Sequence, residues 1–266
     1  MRLALLLVTF LGHGFLIAAS SLGQQTDNAA AFHDLADTIA SEYSIAADGK
    51  PLQLRKESVL TWTNPLVGEI YGGVYVWTLE GRPLAIASIY KWYRPHTHSS
   101  HEFQSLTTTK LRGTRDGQKD WVCESPGIEW KTIPDAPTPA ATPTQRLVQM
   151  RGLAKRFEFE MTEKDDSTTR LRLLSQPLLR YSDDKSDVTD GSLFAFAQAT
   201  DPEALLLIQA NRDGEKLIWY YAITRSNFLA MKARYNGQPI WDAPQLSDPE
   251  IYGARGPYAK FAFKTP

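Results

Sequence analysis

Three histidines fall in one short stretch, Pro95-His96-Thr97-His98-Ser99-Ser100-His101-Glu102, the densest group of chemically versatile side chains in the sequence. Side chains alternate along an extended backbone, so His96 and His98 point to one side and Glu102 shares their parity. Two imidazoles and a carboxylate on one face form a facial ligand set for a divalent metal ion, with positions left open for water or substrate. His101 then serves as substitute ligand or proton shuttle. On this reading the chain is a metal-dependent enzyme, and a divalent ion is the one cofactor the residues point to. The plainer reading is a polar Ser/Thr/His loop that hydrogen-bonds its own turns or covers a sheet edge.

The His-x-His-x3-Glu core at His96, His98 and Glu102 resembles the first cupin motif. That motif also carries a glycine six residues before its first histidine, where this chain has Tyr90. His96, His98 and His101 are similar to the His-x-His-x-Asp-His signature of metallo-β-lactamase-type hydrolases, with Ser100 at the acidic position. Both families use a later histidine, and no histidine follows His101.

Other reactive residues read more simply. Cys123 is the single cysteine, so no intrachain disulfide can form, and a lone Cys beside Trp121-Val122 reads as a small buried hydrophobe. Asp183, Asp184, Asp187 and Asp190 offer oxygen ligands of the kind calcium prefers, but their spacing is not that of an EF-hand, and they read as a solvated acidic loop. Nucleophile-elbow, phosphate-loop and dinucleotide fingerprints are absent. Aromatic residues point to a different class of function. Trp62, Trp77, Trp92, Trp121 and Trp130 lie in the first half with Tyr71, Tyr75, Tyr90 and Tyr93. Planar rings on a sheet can stack on sugar rings; Trp77, among valines, belongs to a core, whereas Trp92, Tyr93 and Arg94, beside the histidines, are candidates for ligand binding.

The first 23 residues have the layout of a secretory signal peptide: Arg2, an apolar run from Leu3 to Ala19, then Ala18, Ala19, Ser20, Ser21 and Gly23 as small residues for cleavage. No later apolar run is long enough to span a bilayer, so the expected mature chain is exported, periplasmic or secreted, with no membrane span. The net charge of −1, with both signs interspersed, provides no basic stripe for nucleic acid. The partners expected in that compartment are a glycan or a protein of the envelope.

The elements that must position these residues follow from periodicity. Residues 27–43 read as a helix with Phe32, Leu35, Ile39 and Tyr43 on its apolar stripe. Gly73 to Leu79 and Leu84 to Tyr90 read as a hairpin, apolar on both faces and hence central in its sheet. Further strands are expected at Glu102 to Leu111 and Lys119 to Cys123. The stretch 134–143 reads as a Pro/Ala linker, followed by a helix capped by Thr142 with Pro143 at its first position. Strands follow at Arg170 to Leu174, Ser192 to Ala199, Ala204 to Ala210, Leu217 to Thr224 and Phe228 to Tyr235, with turns at 200–203, 212–215 and Asn236-Gly237. The fold class expected is α+β, with twisted antiparallel sheets each preceded by and packed against an amphipathic helix. The halves, 27–133 and 144–266, share a plan without a visible residue-level repeat and are compatible with two units or one continuous fold.

At Trp62-Thr63-Asn64-Pro65, Gly72 to Trp77, Ser88 to Tyr93 and Asp190 to Phe196 the chain resembles a family of exported planctomycete proteins of unknown activity. That resemblance implies export and no particular chemistry. The function expected is therefore a non-catalytic binding or interaction protein of the cell envelope, with the His96/His98/Glu102 metal enzyme as its alternative.

Overall fold

The computed structural model describes residues 28–183 and 185–264; the leader expected at 1–23 lies outside them. A helix, α1, covers 28–41. The strands of the first half are β1 (Ser44–Ala47), β2 (Lys50–Pro51), β3 (Gln53–Leu54), β4 (Leu60–Thr63) and β5 (Glu69–Leu79). They continue with β6 (Arg82–Arg94), β7 (His98–Ser105), β8 (Leu111–Thr114), β9 (Trp121–Cys123) and β10 (Lys131–Thr132). The second half opens with α2 (Pro143–Ala154), then β11 (Phe157–Thr162), β12 (Thr168–Arg170), β13 (Arg172–Leu173) and β14 (Leu179–Tyr181). After these come β15 (Val188–Gln198), β16 (Asp201–Asp213), β17 (Lys216–Arg225), β18 (Ala230–Tyr235) and β19 (Gln238–Ala243). A short helix, α3 (Asp248–Tyr252), and β20 (Tyr258–Lys264) complete the chain.

The α+β expectation is corrected: 51% of the chain is strand and 13% helix, arranged as four antiparallel sheets packed like propeller blades. Two are inner sheets, β20-β7-β6-β5-β3 with β4 on β5, and β10-β17-β16-β15-β13 with β14 on β15. Two are outer sheets, β2-β1-β8-β9 and β12-β11-β18-β19. Each helix is an accessory to a sheet-on-sheet core. Tyr75, Trp77, Ile89 and Phe103 of the first inner sheet join Ile45, Leu111 and Trp121 of its outer partner in one cluster. Phe194, Phe196, Leu206 and Ile208 meet Phe159, Met161 and Met231 in another. A third cluster joins the inner sheets to each other through Val74, Val76 and Ile86 against Leu193, Ala195, Leu205 and Leu207. The central strands were correctly expected to be apolar on both faces, but what covers them is a second sheet. The stripe on α1 is also corrected: Phe32, Ala36, Ala40 and Tyr43 are buried while Leu35 is exposed. Two alanines let the helix lie close to the sheet, so the small side chains mark the packed face.

The halves repeat in detail. β5 and β15 have 11 residues each, β6 and β16 have 13 each, and both hairpins break register at the same place, Trp77/Thr78 and Phe196/Ala197. Glu80 and Ala199, the residues after β5 and β15, both have positive φ. Gly72 and Gly191 make room for the aromatic ring on the neighbouring short strand, Trp62 in one half and Tyr181 in the other. The tenth strands are exchanged. β10 leaves the first half to pair with β17 of the second, and β20 returns from the second to pair with β7 of the first. Each half thus needs the other to complete its inner sheet. No helix among the described residues is long and apolar enough to cross a membrane.

Candidate ligand-binding site

The histidine segment is strand rather than loop: β7 starts at His98. Pairing sets the faces. Ser88 lies opposite Glu102, Tyr90 opposite Ser100, Lys260 opposite Glu102 and Lys264 opposite His98. Tyr90, His98, Glu102 and Lys260 therefore share the face directed at the second inner sheet. His101 points the other way, where it is 2% exposed, packs 4.5 Å from the Phe263 ring and meets the Tyr43 hydroxyl through Nδ1 at 2.7 Å. The expected parity holds, and it removes His101 from the group. Among the described residues no three His, Cys, Asp or Glu side chains are placed to hold a metal ion. Glu102 is engaged elsewhere: Oε1 accepts from Tyr90 Oη at 2.6 Å and from Lys260 Nζ at 2.8 Å. Lys260 also donates to the Tyr90 oxygen at 2.8 Å, closing a triangle.

This triangle forms one wall of a cavity of about 290 Å³ between the ends of the inner sheets. Trp62, Trp92 and Phe228 supply aromatic surface. Trp62 donates its indole N–H to Ser88 Oγ at 3.0 Å and lies 5.5 Å from the Tyr90 ring. Trp92 stands at the mouth, its ring 5.2 Å from His96 and 6.2 Å from His98. Tyr93 and Arg94, grouped with Trp92 on sequence, do not line the cavity: Tyr93 packs on Tyr71, and Arg94 pairs with Glu69 at 3.7 Å. Strand alternation turns Tyr93 away from Trp92, and a register shift between Glu69 and Ile70 sets Arg94 opposite Glu69.

The opposite wall comes from β16, which begins with Asp201 and Glu203 on one face. The turn expected at 200–203 is corrected accordingly, since pairing with β15 already starts at Asp201. Asn227 Nδ2 donates to Glu203 Oε2. Asn64 Nδ2 donates to Gln198 Oε1 at 3.1 Å, and Gln198 in turn donates to Glu163 at 3.0 Å. Burial pushes the Glu203 carboxyl up to about 8, with Glu102 and Glu163 adding to the rise against the lowering effect of the Asn227 bond. Asp201 is raised well above the usual carboxylate range by burial and by Glu203 and Glu102. Burial, Lys260 and His96 lower His98, which favours a neutral ring. Burial pulls Lys260 down, but Glu102 and Tyr90 outweigh it and keep the ammonium charged. The cavity at neutral pH thus holds one internal ion pair, two neutral carboxyls and many hydrogen-bonding amides and hydroxyls.

The equivalent positions at the other end of the repeat carry none of this chemistry. Following the matched strand pairs, Tyr90 corresponds to Gln209, Glu102 to Ala222, Lys260 to Trp130 and Glu203 to Leu84. That end has a pocket of about 470 Å³ in whose lining Arg146, Arg180 and Asp190 are already matched in ion pairs. Asp190 accepts from Arg146 at 2.9 Å and from Arg180 at 2.7 Å, and Asp183 lies 3.9 Å from Arg82. Asp183 and Asp190 are 7% and 3% exposed, so neither a calcium loop nor a solvated acidic loop describes them. Arg146, a cation on α2, is buried to meet Asp190. Cys123 is buried, as expected for a small hydrophobe, and burial raises its thiol.

No protein-family model, curated protein or solved structure matches this chain.

Sequence reasoning found Trp92, His96, His98 and Glu102 in the cavity. It missed Lys260, because β20 has no partner in its own half. It also missed Asp201 and Glu203, because Pro202 between two acids has the composition of a turn. A signal was present: Asp201, Glu203, Leu205 and Leu207 keep one parity, as a strand running from a polar mouth into a core would.

Proposed function

We propose that this chain is a non-catalytic binding protein of the exported compartment, whose ligand is a small polyhydroxylated molecule such as a sugar unit held between the inner sheets. The observation that carries this reading is the restriction of chemistry to one end of a duplicated scaffold. At the far end Arg82, Arg146, Arg180, Asp183 and Asp190 pair with one another, which leaves Arg146, Arg180 and Asp190 in the lining of the pocket there already matched. The near end has a cavity of about 290 Å³, just below the roughly 300–1,000 Å³ range of ligand pockets, with aromatic rings and hydrogen-bonding groups in its lining.

Sugar hydroxyls both donate and accept, so they suit a wall of neutral carboxyls, amides and a phenol better than a field of one sign. The apolar face of a sugar ring stacks on an aromatic plane, which Trp92 offers at the mouth. Glu102 is bonded to Lys260 and Tyr90, which fixes it as part of the wall. The leader expected at 1–23 would bring the chain to a compartment where glycans are met.

Tryptophan fluorescence titrated with a panel of monosaccharides and short oligosaccharides tests the proposal. Saturable quenching by a member of the panel is expected, weakened several-fold and up to about tenfold in Trp92→Ala, as loss of one stacking contact implies. A flat response of the wild-type protein across the panel contradicts it.

A further inference from the structure

We propose that the ligand carries an amino group, so that the cavity selects an amine-bearing sugar over its neutral counterparts; this rests on the cavity being the ligand site. The two ends of the inner-sheet interface treat one pair of equivalent positions differently. At the far end Asp183, just after β14, faces Arg82 at the start of β6, and the acid has its cation. The equivalent positions at the cavity end are Asn64, just after β4, and Asp201 at the start of β16. Here an amide stands in the acid's place and an acid in the cation's place, so Asp201 faces Asn64 with no guanidinium opposite it.

No other cation takes that place among the described residues, and the side-chain bond that Asp201 receives comes from the neutral amide of Asn64. Glu203, two residues along the same face and 4% exposed, receives a side-chain bond from the neutral amide of Asn227. Lys260 on β20 reaches toward Asp201 but is already bonded to Glu102 and Tyr90. Lys164, after β11, is exposed and lies over the Phe228 ring at 5.8 Å, while Glu163 beside it adds further negative charge. From β7, His98 is favoured neutral and Glu102 is negative. A second and independent observation points to a missing donor. Asn64 is 2% exposed, lines the cavity, and its Oδ1 has no hydrogen-bond partner.

An ammonium group supplies what is absent at both places. It donates to Asn64 Oδ1 and to the Asp201 and Glu203 carboxyl oxygens, all of which line the same cavity. Because burial keeps these carboxyls protonated in the free protein, binding displaces a proton: the carboxyl O–H proton passes to buffer and an N–H···O contact to carboxylate takes its place. Below the amine's own range, about 7.7–8.0 for an α-amino type, affinity then rises with pH, by up to about tenfold per unit for each proton released.

Isothermal titration calorimetry with glucosamine, N-acetylglucosamine and glucose, each in two buffers of different ionisation enthalpy, tests this directly. Glucosamine is expected to bind about tenfold or more tighter than the other two, in keeping with one added charge-assisted contact. It should also release protons and tighten between about pH 5.5 and 7. Glu203→Gln and, independently, Asp201→Asn should each reduce the ratio of glucosamine to glucose affinity and the proton release, whatever each does to glucose binding itself. If glucose or N-acetylglucosamine binds as well as glucosamine, or glucosamine binds without proton release, the amine inference is overturned and the sugar site stands. If none of the three binds, both fail.

Discussion

Lys260 Nζ, on the last strand of the chain, lies 2.8 Å from Glu102 Oε1, on the seventh, and the two side chains are only 11% and 10% exposed. This contact ties the end of the second half to the first because β20 completes the sheet of the first half. The ion pair, the strand exchange and the cavity wall are thus one feature. Removing one partner leaves the other charge buried and unmatched. Lys260→Met is therefore expected to cost about 3–5 kcal/mol in chemical denaturation. Lys260→Met with Glu102→Gln should recover a substantial part of it, and a double-mutant cycle with no coupling would show that the pair does not act as a unit.

Glu203 makes stability depend on pH in an unusual direction. Its carboxyl titrates near 4.5 when unfolded and near 8 when folded, so between those values the native chain holds a proton that the unfolded chain has lost. Stability must then fall as pH rises through this window. Glu203→Gln removes the dependence. The variant is expected to match the wild type at about pH 4.5 and to exceed it at about pH 8.5 by on the order of a few kcal/mol, read as a higher midpoint in urea. A variant that is less stable at both pH values would contradict the protonated state assigned to Glu203.

His101 works at the acid end. Burial, with Arg115 nearby, lowers its pKa to about 3, and neutral Nδ1 meets the Tyr43 hydroxyl. Below its unfolded value of 6.5 the unfolded chain takes up a proton that the native chain refuses, so stability declines as pH falls from 6.5 toward 3. His101→Phe keeps the ring on the aromatic face with Phe103 and Phe263 and leaves Tyr43 its bond to Gln118. Its Tm relative to wild type should improve between about pH 7 and pH 4; a constant difference would argue against a buried neutral imidazole.

Two glycines test the repeat. A methyl group at Gly72 would collide with the Trp62 indole, and one at Gly191 with the Tyr181 ring. Gly72→Ala and Gly191→Ala are each expected to cost about 1–3 kcal/mol by overpacking. Ligand binding should be weakened only by the first, since Trp62 lines the cavity and Tyr181 lies at the opposite end.

Much of the strand order was legible, because Val74 to Leu79 and Leu84 to Tyr90 state their pairing in alternation and in the Glu80-Gly81 turn, both of whose residues have positive φ. The Thr142-Pro143 helix start and the Asn236-Gly237 hairpin were legible for the same reason: each is a local device that works without tertiary help. The fold class was not. That an apolar face needs covering is written in the strand, but whether a helix or a sheet covers it depends on partners far along the chain. The repeat was hidden because matched positions keep shape and lose identity, as Trp62 and Tyr181 do. Half the site was legible because His96, His98 and Glu102 are neighbours in sequence. Lys260, Asp201 and Glu203 reach the cavity only by strand exchange and sheet packing.

The central claim, that the cavity between the inner sheets is the ligand site, is tested most directly by the side-chain indole signals in an NMR titration with the tightest-binding sugar of the panel. The account predicts that the Trp62 and Trp92 signals shift and saturate together, while those of Trp77 and Trp219, buried in the two outer clusters, stay in place. Saturable binding that leaves Trp62 and Trp92 unmoved would contradict it.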